Sequence, residues 1–141
     1  MSPLTSPNDF EVVDHTADWA LRIYGSDLTQ LLSNAAIGMA SLMVQDIRQV
    51  PVHVERYLEL EAYDAETLLV DWLTELAFWA EDEQLIFPEI SLSDVTDTHL
   101  KASLKGSRVA ELLKHIKAVT YHNLEIEKTE RGLAATVVFD V

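Results

Sequence analysis

Asp14-His15-Thr16-Ala17-Asp18 sets two carboxylates and an imidazole within five consecutive residues. Such groups can hold a hard cation or move a proton, and they can equally well solvate a polar turn. They lie between an apolar run, Phe10 to Val13, and an alternating one, Trp19 to Tyr24. An extended chain does not comfortably bury that much charge. The pentapeptide therefore reads as a connection between two strands, the kind of place where a rigid scaffold displays functional groups. The far end of the chain adds weight to a site there. The last alternating run, Ala134 to Val141, stops at Phe139-Asp140-Val141, which sets a carboxylate beside the terminal carboxylate. If that strand pairs next to the first, several acidic oxygens converge.

Other catalytic chemistry finds little support. The four glycines are scattered, so no glycine-rich phosphate loop is present. No serine nucleophile elbow occurs. Without cysteine there is no disulfide, no thiolate nucleophile and no thiolate zinc site. The five histidines, His15, His53, His99, His115 and His122, form no HExxH pair. A composite nitrogen site drawing on His15, His115 and His122 is geometrically open but is the weaker candidate. Oxygen is what remains. Calcium, magnesium and manganese take carboxylate, carbonyl and water ligands, and Asp18, Asp140 and the Val141 terminus can supply them. One reading is then a small metal-dependent hydrolase or phosphotransferase with His15 as base. Against it, no residues suited to gripping a substrate phosphate accompany the carboxylates.

The elements that must position these groups follow from periodicity. Met1 to Asp9, with its prolines and serines, reads as a loose tail, and residues 10–141 as one domain. In Trp19 to Tyr24, Trp19, Leu21 and Ile23 share one face. Ser26 or Asp27, the latter with capping-box spacing to Gln30, caps an amphipathic helix whose stripe is Leu28, Leu31, Leu32, Ala35, Met39, Leu42 and Met43. Val50 to Ala62 alternates as a strand with one wet face. Asp64 caps a second helix with Leu68, Leu69, Trp72, Leu73, Leu76 and Ala80 inside; Asp71 and Glu75 lie off that stripe as a solvated face. Leu85 to Leu92 and Thr98 to Leu104 read as strands, the first placed at an edge or bulge by Pro88. Gly106 to His115 is ambiguous. Ala118 to Glu127 and Ala134 to Asp140 close the chain as a hairpin around Glu130-Arg131-Gly132. This order predicts an α+β domain with two helices packed on one face of a largely antiparallel sheet.

Composition narrows the partners. The formal net charge is −14, from 24 Asp and Glu against 10 Lys and Arg. Phosphate backbones repel such a chain, so stable nucleic-acid binding is not expected; a basic protein surface or a cation is the natural target. No long apolar run and no basic-then-apolar leader is evident, which points away from a membrane and, with the missing cysteine, towards the cytoplasm.

Three stretches carry a family likeness. Phe10-Glu11 through Asp18 resembles the N-terminal signature of the archease family. Ile116-Lys117-Ala118-Val119-Thr120-Tyr121-His122-Asn123-Leu124, with Val137-Val138-Phe139-Asp140-Val141, is similar to the family's C-terminal hairpin, and Asp64 to Leu73 resembles its second helix. The likeness spans residues 10–141, with one departure: Trp19 stands where a small or aliphatic residue is expected. The resemblance implies an α+β two-layer sandwich. It also implies a non-catalytic accessory protein that activates an RtcB-type RNA-splicing ligase, promoting its guanylylation and multiple turnover in tRNA splicing or RNA repair. A chaperone, or a modulator of a tRNA-modifying enzyme such as a methyltransferase, is a further role suggested for the family. The resemblance further implies a divalent metal site, usually described with calcium, on Asp18, Asp140 and Val141. Asp14 and His15 then act as supporting groups, and Lys117 as a contact to the partner ligase.

Overall fold

Strand β1 spans Phe10–Asp14 and β2 Trp19–Gly25, followed by helix α1, Leu28–Met43, and a 3-10 turn, Ile47–Gln49. Strand β3 (Val54–Glu61) leads to helix α2 (Ala65–Glu83), then β4 (Leu85–Thr96) and β5 (His99–Arg108). The short strands β6 (Ala118–Thr120) and β7 (Glu127–Thr129) precede β8 (Gly132–Asp140). These elements come from a computed structural model that describes residues 9–14 and 19–141.

The α+β class and the two helices are as the sequence pattern predicts, and all the described strand pairings are antiparallel. The strands divide between two sheets where the pattern suggested one. A five-stranded sheet has the order β1-β2-β8-β6, with β7 also on β8, and a three-stranded sheet has the order β3-β5-β4. Helix α1 packs on β2 of the larger sheet and β4 of the smaller, while α2 touches β3, β4 and β6. The helices thereby join both sheets through one core. Trp72 of α2 is fully buried, and its Nε1–H donates to the Leu32 carbonyl of α1 at 2.9 Å. That bond ties the two helices together while satisfying an indole N–H in the interior. At Gly38 the α1 backbone comes so close to the larger sheet that a Cβ would lie 2.6 Å from Leu21.

Local chemistry sets the element boundaries. The Asp27 carboxylate accepts from the Gln30 N–H at 2.9 Å, and Gln30 reaches back to the Ser26 N–H at 2.6 Å. Asp64 likewise accepts from the Thr67 N–H at 2.8 Å and starts α2, which ends at Gln84 in the left-handed region, φ 56°. Such caps satisfy N–H groups that a helix start leaves without partners. Pro88 falls within the register shift between Ile86 and Glu89 on the outer strand β4, the edge-and-bulge position it requires.

Several boundaries differ from the periodic reading, β4 running on past Leu92 to Thr96 among them. The third strand begins at Val54, leaving Val52 exposed outside it. Strand β5 continues to Arg108, with Gly106 pressed against the Ile86 carbonyl where a Cβ would sit 1.9 Å away. The run Ala118 to Glu127 is interrupted: Asn123 takes φ 51° and the Leu124 N–H donates to the Tyr121 carbonyl at 3.0 Å. Asn tolerates the left-handed region, so this short turn breaks the alternation into β6 and β7.

Candidate functional site

One end of the larger sheet brings together the strands that flank the two acidic motifs. Trp19 pairs with Asp14 on one side and Phe139 on the other, and Phe139 pairs in turn with Val119. Strand β1 therefore ends, and β2 begins, at the end of the sheet where β8 finishes, with β2 the direct neighbour of β8. Alternation along β8 separates its last two side chains. Phe139 is fully buried, Asp140 is exposed, and Val141 turns back to pack partly against the core. The Lys117 N–H donates to the Asp140 carbonyl at 2.7 Å. That carbonyl is thus already engaged, and the Asp140 carboxylate is the group presented to solvent. The Lys117 side chain is exposed beside this pairing.

Of the residues singled out from the sequence, Asp140, Val141 and Lys117 are brought together in this way. Asp14 takes part through its main chain, paired with Trp19. His15 and Asp18 lie outside the described residues. Among the described residues no group of three or more His, Asp or Glu is placed to hold a metal ion. The donors that Asp140 and Val141 offer are oxygens only, a set that fits a hard divalent cation such as calcium, magnesium or manganese.

A neighbour not signalled by the motif is Lys114, whose Nζ stands 3.9 Å from the centroid of the Trp19 ring. A cation held over an indole face fixes both side chains next to the β1–β2 connection. The unusual Trp19 was the available hint; nothing local marks Lys114 as its partner. Of the other histidines, His122 Nε2 lies 3.3 Å from the Asn123 side-chain amide. His115 Nδ1 lies 2.9 Å from a Glu81 carboxylate oxygen on α2, and His99 bonds Glu59 and the Asp94 carbonyl.

A groove of about 610 Å³ lies at the opposite end of the same sheet, lined by Glu11, Tyr24, Gln30, Thr129 and Arg131 among others. It is open surface between strand ends, and its Tyr24 hydroxyl is 3.3 Å from the Glu11 carboxylate. Asp140 and this groove are therefore separated by the length of the strands. No helix among the described residues is long and apolar enough to cross a membrane.

Two helices braced across two antiparallel sheets define a small α+β protein. Residues 10–141 match the archease protein family, and the chain belongs to it. It is 34% identical to the protein archease of Methanosarcina barkeri, over 94% of this chain and 95% of that one. The archease of Archaeoglobus fulgidus is 35% identical, over 94% of this chain and 98% of its own. Among solved structures, protein 1598 of Methanobacterium thermoautotrophicum superposes with a TM-score of 0.78 at 33% identity, covering 95% of this chain and 99% of that one. An archease of Thermotoga maritima, described as a possible chaperone, gives a TM-score of 0.64 at 23% identity over 92% of this chain and 94% of its own, a likeness of fold.

Proposed function

We propose that this protein is a non-catalytic activator of an RtcB-type RNA-splicing ligase, promoting guanylylation and multiple turnover of that enzyme in tRNA splicing or RNA repair. The observation that carries the reading is the register at the sheet end. Two of the stretches that gave the archease likeness adjoin there, with Trp19 opposite Phe139 and the Lys117 N–H on the Asp140 carbonyl. In this reading Asp18, Asp140 and a main-chain oxygen of Val141 hold a divalent cation, calcium in the first instance. When bound, that ion gathers carboxylates that would otherwise repel one another. Asp14 and His15 orient the ligand loop, as partners around metal-binding carboxylates generally do. Lys117, exposed beside Asp140, supplies a cation for a ligase carboxylate or a nucleotide phosphate. The −14 charge steers the protein to the basic surface that a ligase of RNA must present.

The test is RNA ligation under multiple turnover by a matching ligase, with and without this protein. Asp18→Ala and Lys117→Ala are expected to fold normally and to lose the stimulation. Wild-type turnover with both variants would overturn the mechanism.

A further inference from the structure

Helix α2 carries six carboxylates and no basic residue along its sequence AETLLVDWLTELAFWAEDE. Several of these have clear structural partners. Glu66 accepts the Ile126 N–H at 3.0 Å, Glu81 meets His115, and Glu83 meets Arg56 and Arg108. Asp71, Glu75, Phe78 and Asp82 are spaced i, i+4, i+7 and i+11, so they form one stripe on the side away from the buried Leu69, Trp72, Leu73 and Leu76. Among the described residues no ion pair engages Asp71 or Glu75.

The stripe is also aromatic. Phe78 is 61% exposed, and Tyr63, just ahead of the Asp64 cap, is 83% exposed. The turn after β6 is held beside the first turns of α2 by the Glu66–Ile126 bond, and it brings in Tyr121, 54% exposed. Strand β6, which ends at Thr120, packs against α2 and so sets Tyr121 beside that helix; partial burial first, then the negative charges of Asp71 and Asp64, push its phenol above the ordinary value.

We propose that this face of α2, flanked by Tyr63 and Tyr121, docks an arginine-bearing surface of a protein partner. Complementarity selects that occupant. A guanidinium plane stacks on an aromatic ring and forks onto a carboxylate at once, which a lysine ammonium does not do. Phosphate-rich ligands are repelled by the same carboxylates. A comparison patch on the molecule makes the point. Tyr57 is 72% exposed between Glu55 and Glu59, yet Lys105 and Lys101 stand opposite those glutamates in the sheet register and His99 bonds Glu59. That face is charge-balanced, whereas the α2 face is not. The proposal is independent of the ligase reading.

The test uses the full chain with an octa-arginine peptide and an octa-lysine peptide at physiological ionic strength, followed by amide NMR shifts and calorimetry. The largest shifts should fall on Tyr63, Asp71, Phe78 and Tyr121, with tighter binding of the arginine peptide. The Tyr63→Ser/Tyr121→Ser double variant keeps the net charge and should weaken the arginine peptide by about five-fold, the scale of exposed cation–π contacts. Tyr57→Ser should leave the affinity unchanged. Shifts gathering elsewhere, equal affinity for the two peptides, an unaffected double variant or an equal loss in Tyr57→Ser would each overturn the proposal.

Discussion

His99 shows how one side chain's surroundings set a measurable property. Its Nε2 lies 2.7 Å from the Glu59 carboxylate and its Nδ1 2.9 Å from the Asp94 carbonyl, so both ring nitrogens face acceptors. Only the imidazolium can donate to both. The Glu59 hydrogen bond first, then the Asp94 carbonyl, raise its pKa above the ordinary 6.5, and the same bond lowers Glu59 below 4.5. The sign follows from linkage. The histidine's share of stability is complete below pH 6.5 and is lost as pH rises through its raised value. The Glu59 share is present above 4.5 and is lost as pH falls through its lowered value. The pair therefore contributes most between the two. An NMR titration should find His99 titrating above 6.5, and Glu59→Gln should bring it back towards that value; no change in Glu59→Gln would refute the assignment. At the candidate metal site the corresponding test is Asp140→Asn. We expect it to lower calcium affinity at least several-fold by calorimetry without shifting the melting temperature, because this carboxylate is solvent-facing at the end of β8.

At the scale of elements, α2 depends on its first residue. The Asp64 carboxylate accepts the Thr67 N–H at 2.8 Å, and bonds to Thr67 hold its pKa below 3.8. Asp64→Ala should lower the midpoint of chemical denaturation, as loss of an N-cap does. The loss should appear above pH 3.8 and shrink as pH falls through the lowered pKa, where the wild-type carboxylate is itself protonated. An equal cost at strongly acid pH would show that the cap acts by something other than its charge. This cap was legible in sequence because Asp64 directly precedes a run with helical period. The break in Ala118 to Glu127 was not, since Val119 and Thr120 keep the alternation and only the conformation of Asn123 ends it.

For the molecule as a whole, the −14 charge is a prediction about association. Raising ionic strength from about 0.05 to about 0.2 M shortens the screening length and should raise the concentration of this protein that half-saturates ligase stimulation. Stimulation at saturation should be little changed. A half-saturating concentration independent of salt would remove electrostatic steering from the account.

What the sequence by itself determined is what the backbone's own periods and short-range bonds control. The inward set Trp19, Leu21 and Ile23 meets Phe139, Val137 and Ala135 across the pairing, as alternation requires. The helical stripes, the caps at Asp27 and Asp64, the Pro88 bulge and the closing hairpin between β7 and β8 follow from the same local rules. Only the tertiary structure decided which strands meet. Strand β8 crosses the whole chain to pair with β2, the strands separate into two sheets, and Lys114 comes to rest over Trp19. The approach of Tyr121 to α2, through the packing of β6 on that helix, belongs with these. Each joins residues far apart in the chain, so burial of the common core selects them, and that selection leaves no mark in the spacing of nearby residues.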